Sequence, residues 1–556
     1  MANTLSERLL NWGKDEGAFI FWMTSFNLTY IDNFIDNFMV DRHTGYKFAA
    51  ILSSGLANVF LPVILLDILI LLLFRHWEHV CRAVKIFFLS VNACLFSMDI
   101  FTVFYYGVPL NSAMFEVMST TNFREGSEFL EMYLLNGELW AVLAGIAVVL
   151  VLLRYFIGIL RSSRRGLSFL LLVGIVLLTH SVYNTSFTHY NPQKAIAVFR
   201  LSSMLKKMYR DNAAMKELEN MKQQKVILTR NESNIPYVVF ILGESTTRNR
   251  MSLYGYNLLT SPHLAERMNE GGMYLFSDVI SPHSHTMLVM RKLFTFHRFG
   301  DNDNWFNYAS LFPIIKAAGY HTVWLSNQES AILGLTGKFF AGQCDLSRFT
   351  LLRDHEDEGM IYDESILPLL DEVLSSSNLF PRNFYIIHLM GTHMSYHCRY
   401  PSEYEKFHYQ DEGGFDGIND EQRKVRAEYD NAVLYNDFVV DEIIRRFETR
   451  NAIVIYISDH GEEVYEERDF FGHEEDIGSR YMIEIPMLIW LSQEFRSSFP
   501  ALEQRIALST SKPFMTDDMI HVIMDIMGIE TKDYRPELSV INSAFDYHRT
   551  RIYSGR

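Results

Sequence analysis

Long apolar runs fill the first third of the chain. A helix needs about 20 apolar residues to cross a hydrocarbon core of about 30 Å. Four runs approach or exceed this length: Phe48–Phe74, Ile86–Tyr106, Leu139–Leu160 and Leu167–Val182. A fifth run, Ala18–Val40, is interrupted by Asp32, Asn33 and Asp36. A single run could be a buried core helix, but several in succession predict an α-helical transmembrane domain of about five spans.

The pattern changes near Asn234, where short apolar runs begin to alternate with helix-like stretches. The clearest apolar runs are Tyr237–Leu242, Thr322–Leu325, Phe384–Leu389, Ala452–Ser458 and Met487–Leu491. Runs that are apolar at every position are typical of strands buried on both faces of a parallel sheet. Helix-like stretches such as Tyr308–Ala318 and Ala432–Phe447 lie between them. Together they predict a doubly wound α/β domain.

Charges around the apolar runs predict the orientation in the membrane. With Ala18–Val40 counted as the first span, basic residues follow the second span, Phe48–Phe74, and the fourth, Leu139–Leu160. These residues are Arg75, Arg82, Lys85, Arg161, Arg164 and Arg165. Positively charged connections remain in the cytoplasm. The loop between them, residues 107–138, is rich in glutamate and suits the opposite side. Five spans from a cytoplasmic N-terminus place everything after Val182 outside the cytoplasm, so the large domain is predicted to be periplasmic.

A basic stretch, Ala195–Lys225, follows the last span. Its cations are Arg200, Lys206, Lys207, Arg210, Lys216, Lys222 and Lys225, and they stand among apolar residues. This composition is typical of a helix that lies on anionic lipid headgroups. We therefore predict three regions: a transmembrane domain at 1–183, an interfacial helical linker at 184–233 and a catalytic domain at 234–556.

Composition excludes one class of partner and leaves the cysteines open. The net charge of −16 argues against nucleic-acid binding, which needs a basic surface. The chain has four cysteines without a CxxC pair, so no thiolate metal site is expected. Cys344 and Cys398 could form a disulfide if their domain is periplasmic.

Polar side chains follow four of the predicted strands, where the ligands of an α/β sheet bind. Glu244 follows the first strand, Asn327 the second and His393 the third, while Asp459 and His460 follow the fourth. A further histidine, His473, stands shortly after the fourth strand. Each residue alone has an ordinary structural explanation. Carboxylates and imidazoles that converge on one edge of a sheet favour a divalent metal, and the imidazoles favour zinc.

Transfer chemistry at such a metal needs a nucleophile. Ser284 and Thr286 precede a predicted helix in the segment Ser281–Phe296. A hydroxyl at a helix N-terminus gains from the positive end of the dipole, and a metal lowers its pKa. A simple helix cap would use the same residue types. The residues alone leave Ser284 and Thr286 equally good candidates.

Three motifs resemble those of the phosphoethanolamine transferases, a family within the alkaline phosphatase and sulfatase superfamily. The motifs are Gly243–Arg248, Tyr254–Tyr256 and Ser458–Glu462. The resemblance covers nearly the whole chain, including the spans and a periplasmic domain of the alkaline phosphatase and sulfatase type. The family includes lipid A enzymes that cause colistin resistance.

The resemblance implies roles for the residues at the sheet edge. Glu244, Asp459 and His460 match the family's zinc ligands. Thr286 matches the nucleophilic threonine, which is also a ligand of the metal. One or two zinc ions are implied.

Further positions match family residues that bind the substrate or a second metal. His393 and His473 match two histidines that hold the phosphate or a second zinc. Asn327 falls near a position that contacts the substrate. Thr121 and Glu125, one helical turn apart in the loop at 107–138, match residues implicated in binding the lipid substrate; their residue types alone favour a solvated helix face.

The nucleophile's surroundings differ from those of the lipid A members, which usually have Cys-Gly-Thr there and several disulfides. This chain has Pro282–Thr286 with the sequence PHSHT. The segments His388–His393 and Arg399–Pro401 look closer to the branch that modifies lipopolysaccharide core heptose. Core heptose is therefore the expected acceptor, and lipid A phosphate is next.

The resemblance implies a double displacement. Thr286 takes phosphoethanolamine from the lipid phosphatidylethanolamine and passes it to the lipopolysaccharide acceptor. A hydrolytic sulfatase would need Cys or Ser two residues before Pro and four before Arg, and neither hydroxyl has that spacing. A polymerase of glycerol phosphate, a transferase acting on another periplasmic glycan and a degenerate membrane sensor or scaffold are the alternatives.

Overall fold

The computed structural model describes most of the chain in two compact units with a boundary at residue 211. The described ranges are 16–27, 45–74, 76–106, 110, 114–115, 118, 137–187, 196–220, 226–328, 334–350, 361–376, 380–413, 415, 417–475 and 478–553.

The N-terminal unit is helical in its described part. Its helices are α1 (residues 16–25), α2 (Gly45–Phe74), α3 (Glu78–Tyr106), α4 (Gly137–Ser162), α5 (Arg164–Phe187) and α6 (Ala197–Asn220). Of these, three are long and apolar enough to cross a membrane, namely Leu56–Phe74, Glu78–Tyr105 and Leu139–Ser162. Arg165–His180 is apolar but shorter. Four of the five predicted spans thus coincide with apolar helices, whereas much of Ala18–Val40 lies outside the described residues.

The first turn of α6 is bonded to the helices of its own unit. The guanidinium of Arg200 lies 2.5 Å from the Asp99 carboxylate, and both side chains are buried. The side chain of Asn27 accepts from the backbone N–H of Ala197 at 2.6 Å. The prediction that Arg200 faces lipid headgroups with the other cations is wrong, because Asp99 provides it with a buried partner.

A seven-stranded sheet forms the centre of the second unit. Its strands are β1 (Tyr237–Gly243), β2 (Met273–Leu275), β3 (His321–Ser326), β4 (Leu346–Phe349), β5 (Asn383–His388), β6 (Ala452–Ser458) and β7 (Met487–Leu491). The strand order is β2-β7-β6-β1-β5-β3-β4. Five strands from β6 to β4 in this order run parallel. The strand β7 is antiparallel to β6 and β2, so the sheet is mixed, with parallel strands only from β6 to β4.

Both faces of the sheet are covered by apolar side chains. On β1, Val238, Phe240 and Leu242 pack into one core, and Val239 and Ile241 pack into the other. An uninterrupted apolar strand is what burial on both faces requires. Three further two-stranded pairings join Arg230–Asn231 to Ile529–Glu530, Val279–Ile280 to Phe514–Met515 and Glu463–Val464 to Phe471–Gly472.

Helices flank this sheet. They are α7 (Pro262–Glu270), α8 (Thr286–Leu293), α9 (Leu311–Ala317), α10 (Gly334–Ala341), α11 (Ile366–Ser376), α12 (Asp420–Arg445), α13 (Arg480–Ile483), α14 (Gln493–Ser498), α15 (Pro500–Ala507) and α16 (Met519–Met527). The helix predicted at Ala432–Phe447 begins earlier, at Asp420. Asn419 and Gln422 form a capping box there, since each side chain bonds the other's backbone N–H.

The four cysteines are all described, and none of them is joined to another by a disulfide. Cys344 and Cys398 therefore form no disulfide in this structure. Burial raises the pKa of the Cys344 thiol above its ordinary value, which disfavours the thiolate.

Candidate active site

The carboxyl ends of β1 and β6 bring three polar residues together. Glu244 directly follows β1, and Asp459 and His460 directly follow β6, its parallel neighbour. One potential ligand atom from each lies within 4.8 Å of the others. All three side chains are buried. The structure thus joins three of the predicted metal ligands in one cluster.

The backbone around Glu244 adopts an unusual conformation. Ser245 has a φ of 61°, in the left-handed region that residues other than glycine seldom occupy. Its N–H donates to Asp459 at 3.0 Å, and its carbonyl accepts from the Tyr429 hydroxyl at 2.8 Å. These bonds hold the turn that directs Glu244 toward Asp459, and strain of this kind concentrates at functional sites.

The spacing of the donor atoms fits a tetrahedral ion. His460 Nε2 lies 3.2 Å from Glu244 Oε1 and 3.4 Å from Asp459 Oδ2. Ligands about 2.0–2.1 Å from a tetrahedral zinc are separated from one another by about 3.3 Å. Thr286 Oγ1, at 3.1 Å from each Glu244 oxygen, provides a fourth donor.

Two of these donor atoms are buried without a hydrogen-bond partner in the described part of the chain, and they are Asp459 Oδ2 and His460 Nε2. The other ring nitrogen of His460 lies 2.9 Å from the carbonyl of Gly461. Since that carbonyl can only accept, Nδ1 carries a hydrogen, and Nε2 is the ring nitrogen that remains to bind a metal. A buried imidazole nitrogen beside two carboxylates is the arrangement that a divalent cation satisfies.

Electrostatics also favour a cation here. Burial, together with the nearby Glu244 carboxylate, raises the pKa of Asp459 to about 6. Burial lowers the pKa of His460, but Asp459 and Glu244 outweigh it and raise the value to about 10. The pocket therefore attracts positive charge strongly, and a divalent ion would take the place of the proton on His460.

Thr286 is placed as a nucleophile should be. It is the first residue of α8, where the helix dipole favours negative charge. Its hydroxyl donates to Glu244, and its side chain is only half-buried, so a substrate can reach it.

Ser284, the other candidate, is bonded to a different carboxylate. Its Oγ lies 3.2 Å from Glu475 Oε2, and its N–H donates to the same oxygen at 2.9 Å. The second oxygen of Glu475 lies 2.7 Å from His283 Nδ1. Burial raises the pKa of Glu475, but His283 outweighs it and lowers the value to about 2. Of the two hydroxyls, that of Thr286 lies at the metal cluster.

Three imidazoles, those of His285, His393 and His473, lie beside this cluster. The rings of His460 and His473 are 4.2 Å apart between centroids, and those of His473 and His285 are 5.2 Å apart. Burial and the proximity of His460, His285 and His393 hold the pKa of His473 well below its ordinary value. A neutral imidazole at this position can bind a second metal or donate a hydrogen bond to a phosphate. The predicted residues His393 and His473 both belong to this group.

His473 is held by a buried acid. Its Nδ1 lies 2.9 Å from Glu462 Oε1, and the other oxygen of Glu462 accepts from the Tyr396 hydroxyl. Burial raises the pKa of Glu462 to about 8.

Asn327 lies at the end of β3, but its amide is bonded within the protein. Its Nδ2 donates to Asp363 at 2.7 Å, and its Oδ1 accepts from Thr350 at 2.6 Å. The next residue, Gln328, reaches Glu244 Oε2 at 3.3 Å. Substrate binding by Asn327 stays a prediction, and Gln328 is the neighbour that faces the cluster.

Thr121 and Glu125 lie outside the described residues. Their role in lipid binding therefore stays a prediction.

Sequence reasoning missed Gln328, Glu462 and Glu475. Glu462 lies inside the Ser458–Glu462 motif, and Glu475 lies two residues after His473, so the sequence carried a signal for both positions. Gln328 carried no signal beyond its position after β3.

Comparisons with known proteins show the family to which the chain belongs. Residues 236–529 match the sulfatase family. A crystal structure of the C-terminal periplasmic domain of EptC from Escherichia coli in complex with Zn is 31% identical. It covers 59% of this chain and 92% of that chain, with a TM-score of 0.54. The chain belongs to the phosphoethanolamine transferase family, whose catalytic domain is of the sulfatase type.

The family relationship extends into the N-terminal unit. The phosphoethanolamine transferase EptC of Escherichia coli strain K12 is 29% identical over 496 residues, which cover 84% of each chain. The integral membrane protein lipooligosaccharide phosphoethanolamine transferase A from Neisseria meningitidis is 22% identical. It covers 94% of this chain and 98% of that chain with a TM-score of 0.67, so the two share a fold. This enzyme family thus joins a helical N-terminal unit to a sulfatase-type domain.

Proposed function

We propose that this protein transfers phosphoethanolamine from phosphatidylethanolamine to a lipopolysaccharide acceptor through a covalent intermediate on Thr286. The observation that supports it most strongly is the Thr286 hydroxyl bonded to Glu244, beside the orphaned donors of Asp459 and His460. Group transfer through a covalent intermediate requires a nucleophilic hydroxyl at such a site, whereas simple ligand binding does not.

The metal that we assign to this cluster is zinc, held by Glu244, Asp459, His460 and Thr286. When bound, zinc lowers the pKa of the hydroxyl and neutralises charge on the transferring phosphate oxygens. The donor set and its spacing support zinc, and so does the zinc complex of the related EptC domain.

The reaction has two displacements. In the first, Thr286 Oγ forms a bond to phosphorus while the bond from phosphorus to the glycerol oxygen breaks, and diacylglycerol leaves with a proton. In the second, the oxygen of an acceptor hydroxyl forms a bond to phosphorus while the bond from phosphorus to Thr286 Oγ breaks, and Thr286 takes up the proton that the acceptor hydroxyl loses. Glu244 accepts the hydrogen bond of the Thr286 hydroxyl and orients it. His393 and His473 bind the phosphate oxygens, and Asn327 lies next to Gln328 at the substrate side.

A lipid donor explains why a catalytic domain is joined to apolar helices. The regions 1–183, 184–233 and 234–556 serve as membrane domain, interfacial linker and periplasmic catalytic domain of a multi-pass inner-membrane protein. Thr121 and Glu125 contact the lipid headgroup from the loop at 107–138. The distribution of basic residues supports this orientation. Green fluorescent protein fused to the C-terminus should remain dark, and fluorescence would contradict the periplasmic assignment.

The acceptor that we favour is a heptose of the lipopolysaccharide core, with a lipid A phosphate as the second candidate. Support comes from the segments His388–His393 and Arg399–Pro401 and from the absence of a cysteine beside Thr286. Cys344 and Cys398 form no disulfide in this structure, which agrees with this departure from a disulfide-rich domain.

The test uses the full chain in phosphatidylethanolamine vesicles, with purified lipopolysaccharide as acceptor. Mass spectrometry of the acceptor should find added phosphoethanolamine, on core sugar rather than on lipid A. Thr286→Ala should abolish transfer, because loss of a covalent nucleophile costs several orders of magnitude in rate. Thr286→Ser should retain part of it, and Ser284→Ala should lose no more than about three-fold, since only one side-chain bond disappears.

Two outcomes would contradict the proposal. Transfer by Thr286→Ala above a tenth of the wild-type rate would exclude Thr286 as nucleophile. Release of free ethanolamine phosphate without any acceptor product would instead indicate a hydrolase.

A further inference from the structure

Two loops carry reactive groups of the candidate site, and one carboxylate joins them. The first loop, 281–286, ends at Thr286, and the second, 471–475, contains His473. Glu475 of the second loop bonds the first loop at three atoms. Its Oε1 lies 2.7 Å from His283 Nδ1, and its Oε2 accepts from the Ser284 N–H at 2.9 Å and from the Ser284 hydroxyl at 3.2 Å.

This contact is partly enclosed. The side chains of His283 and Glu475 are each 15% exposed, and the ring of His283 packs against Phe299 with centroids 5.2 Å apart. Ser284 is buried. A charge-assisted bond shielded from water is stronger and more rigid than one on the surface.

The bonded segment leads directly into α8. Ser284 stands two residues before Thr286, and His285 between them caps the helix. The carbonyl of His285 accepts from the N–H groups of Leu288 and Val289 at 3.0 Å each. The position of Ser284 therefore determines where α8 begins, and with it where the Thr286 hydroxyl lies.

The contact also bears on the imidazoles. Glu475 is two residues from His473, and a second pairing joins the same loops, since His285 Nε2 lies 4.0 Å from Glu474 Oε2. Side chains of the second loop thus contact the first loop at Ser284 and at the histidines on either side of it. A misplacement of about 1 Å can cost about 100-fold in rate, so a rigid link between nucleophile and phosphate-side imidazole has catalytic value.

We propose that Glu475 is a positioning residue. It binds the segment of Ser284 to that of His473 and so keeps the Thr286 hydroxyl and the His473 ring in the relative position that transfer requires. The inference rests on the proposed function. It assigns Glu475 no contact with the substrate or the metal.

The test compares Glu475→Ala with Glu475→Gln in the full chain, using phosphatidylethanolamine vesicles and lipopolysaccharide. Gln has the same length and can still accept from Ser284 and bond His283, whereas Ala removes all three contacts. We expect Glu475→Ala to lower kcat about 10- to 100-fold while KM for the donor stays within about two-fold. Glu475→Gln should recover to within about five-fold of wild type. The zinc content of both variants should equal that of wild type.

Three results would overturn the inference. They are a kcat of Glu475→Ala within two-fold of wild type, a loss carried by KM or by zinc instead of kcat, and a Gln variant as slow as Ala. If Glu475→Ala fails to fold, the double variant His283→Phe/Ser284→Ala replaces it, because it removes both side-chain bonds from the first loop to Glu475. That variant should lose about ten-fold in kcat, and an unchanged rate would overturn the inference. An inactive wild-type protein would overturn the proposed function itself, which distinguishes the two failures.

Discussion

Gly391→Ala should disturb the candidate site through the backbone of Glu244. Gly391 follows β5 with a φ of 53°, and a Cβ atom there would lie 2.5 Å from the carbonyl oxygen and 2.9 Å from the nitrogen of Glu244. The next residue donates its N–H to the same carbonyl at 3.0 Å. Because both obstacles are backbone atoms, no side chain can rotate away.

The cost has two parts. A left-handed φ costs a residue with a Cβ about 1–2 kcal/mol. Separating the added Cβ from the Glu244 carbonyl oxygen to an ordinary contact needs a movement of about 1 Å, and overpacking of this kind costs about 1–3 kcal/mol. The free energy of unfolding should therefore fall by about 2–5 kcal/mol. The same movement displaces the carboxylate that bonds Thr286, so transfer should fall about 10-fold or more.

Thermal unfolding and zinc titration of the purified full chain measure both effects. Gly413→Ala is the matched control, because a Cβ there meets no atom within 4 Å. We expect a Tm several degrees lower and weaker zinc binding for Gly391→Ala, with Gly413→Ala unchanged. Equal Tm and equal zinc affinity in the two variants would refute the argument that Gly391 supports Glu244.

Three other predictions concern separate parts of the chain. Burial lowers the pKa of His521 to about 3, so the folded protein does not take up the proton that the unfolded chain binds below pH 6.5. The free energy of unfolding should therefore fall by about 2 kcal/mol from pH 7 to pH 5. In denaturant titrations His521→Asn should remove this part of the pH dependence, whereas His548→Asn, at an exposed position, should leave it unchanged. Asp99→Asn should lower the free energy of unfolding by about 3 kcal/mol, because it removes the carboxylate that faces the buried Arg200, and adding Arg200→Met should restore part of that stability. Equal stability of the single and double variants would contradict the claim that the cost comes from an unpaired buried charge. Glu125→Ala should lower transfer from phosphatidylethanolamine at least about five-fold more than cleavage of a small soluble phosphodiester, and an equal loss on both substrates would exclude a headgroup contact.

The apolar runs predicted the sheet well where burial alone decides the structure. Ala452–Ser458 and Met487–Leu491 were predicted to the residue, because strands covered on both faces leave no place for a polar side chain. Strand direction was beyond this reasoning. An apolar run reads the same in either orientation, so the antiparallel pairing of Met487–Leu491 depends on chain connections that no periodicity encodes.

The candidate site was predictable as far as its residues directly follow strands. Glu244, Asp459 and His460 stand at such positions, and parallel pairing brings them together. Glu475 lies in a loop, and its bonds to His283 and Ser284 join residues about 190 positions apart. Contacts of that kind depend on the folded geometry of two loops, which residue spacing does not determine.

Peptide mass spectrometry of the protein after exposure to phosphatidylethanolamine vesicles, without an acceptor, tests the central claim most directly. The account predicts phosphoethanolamine on Thr286, its disappearance when lipopolysaccharide is added, and no adduct in Thr286→Ala. Attachment to Ser284, or steady transfer without any adduct on Thr286, would contradict it.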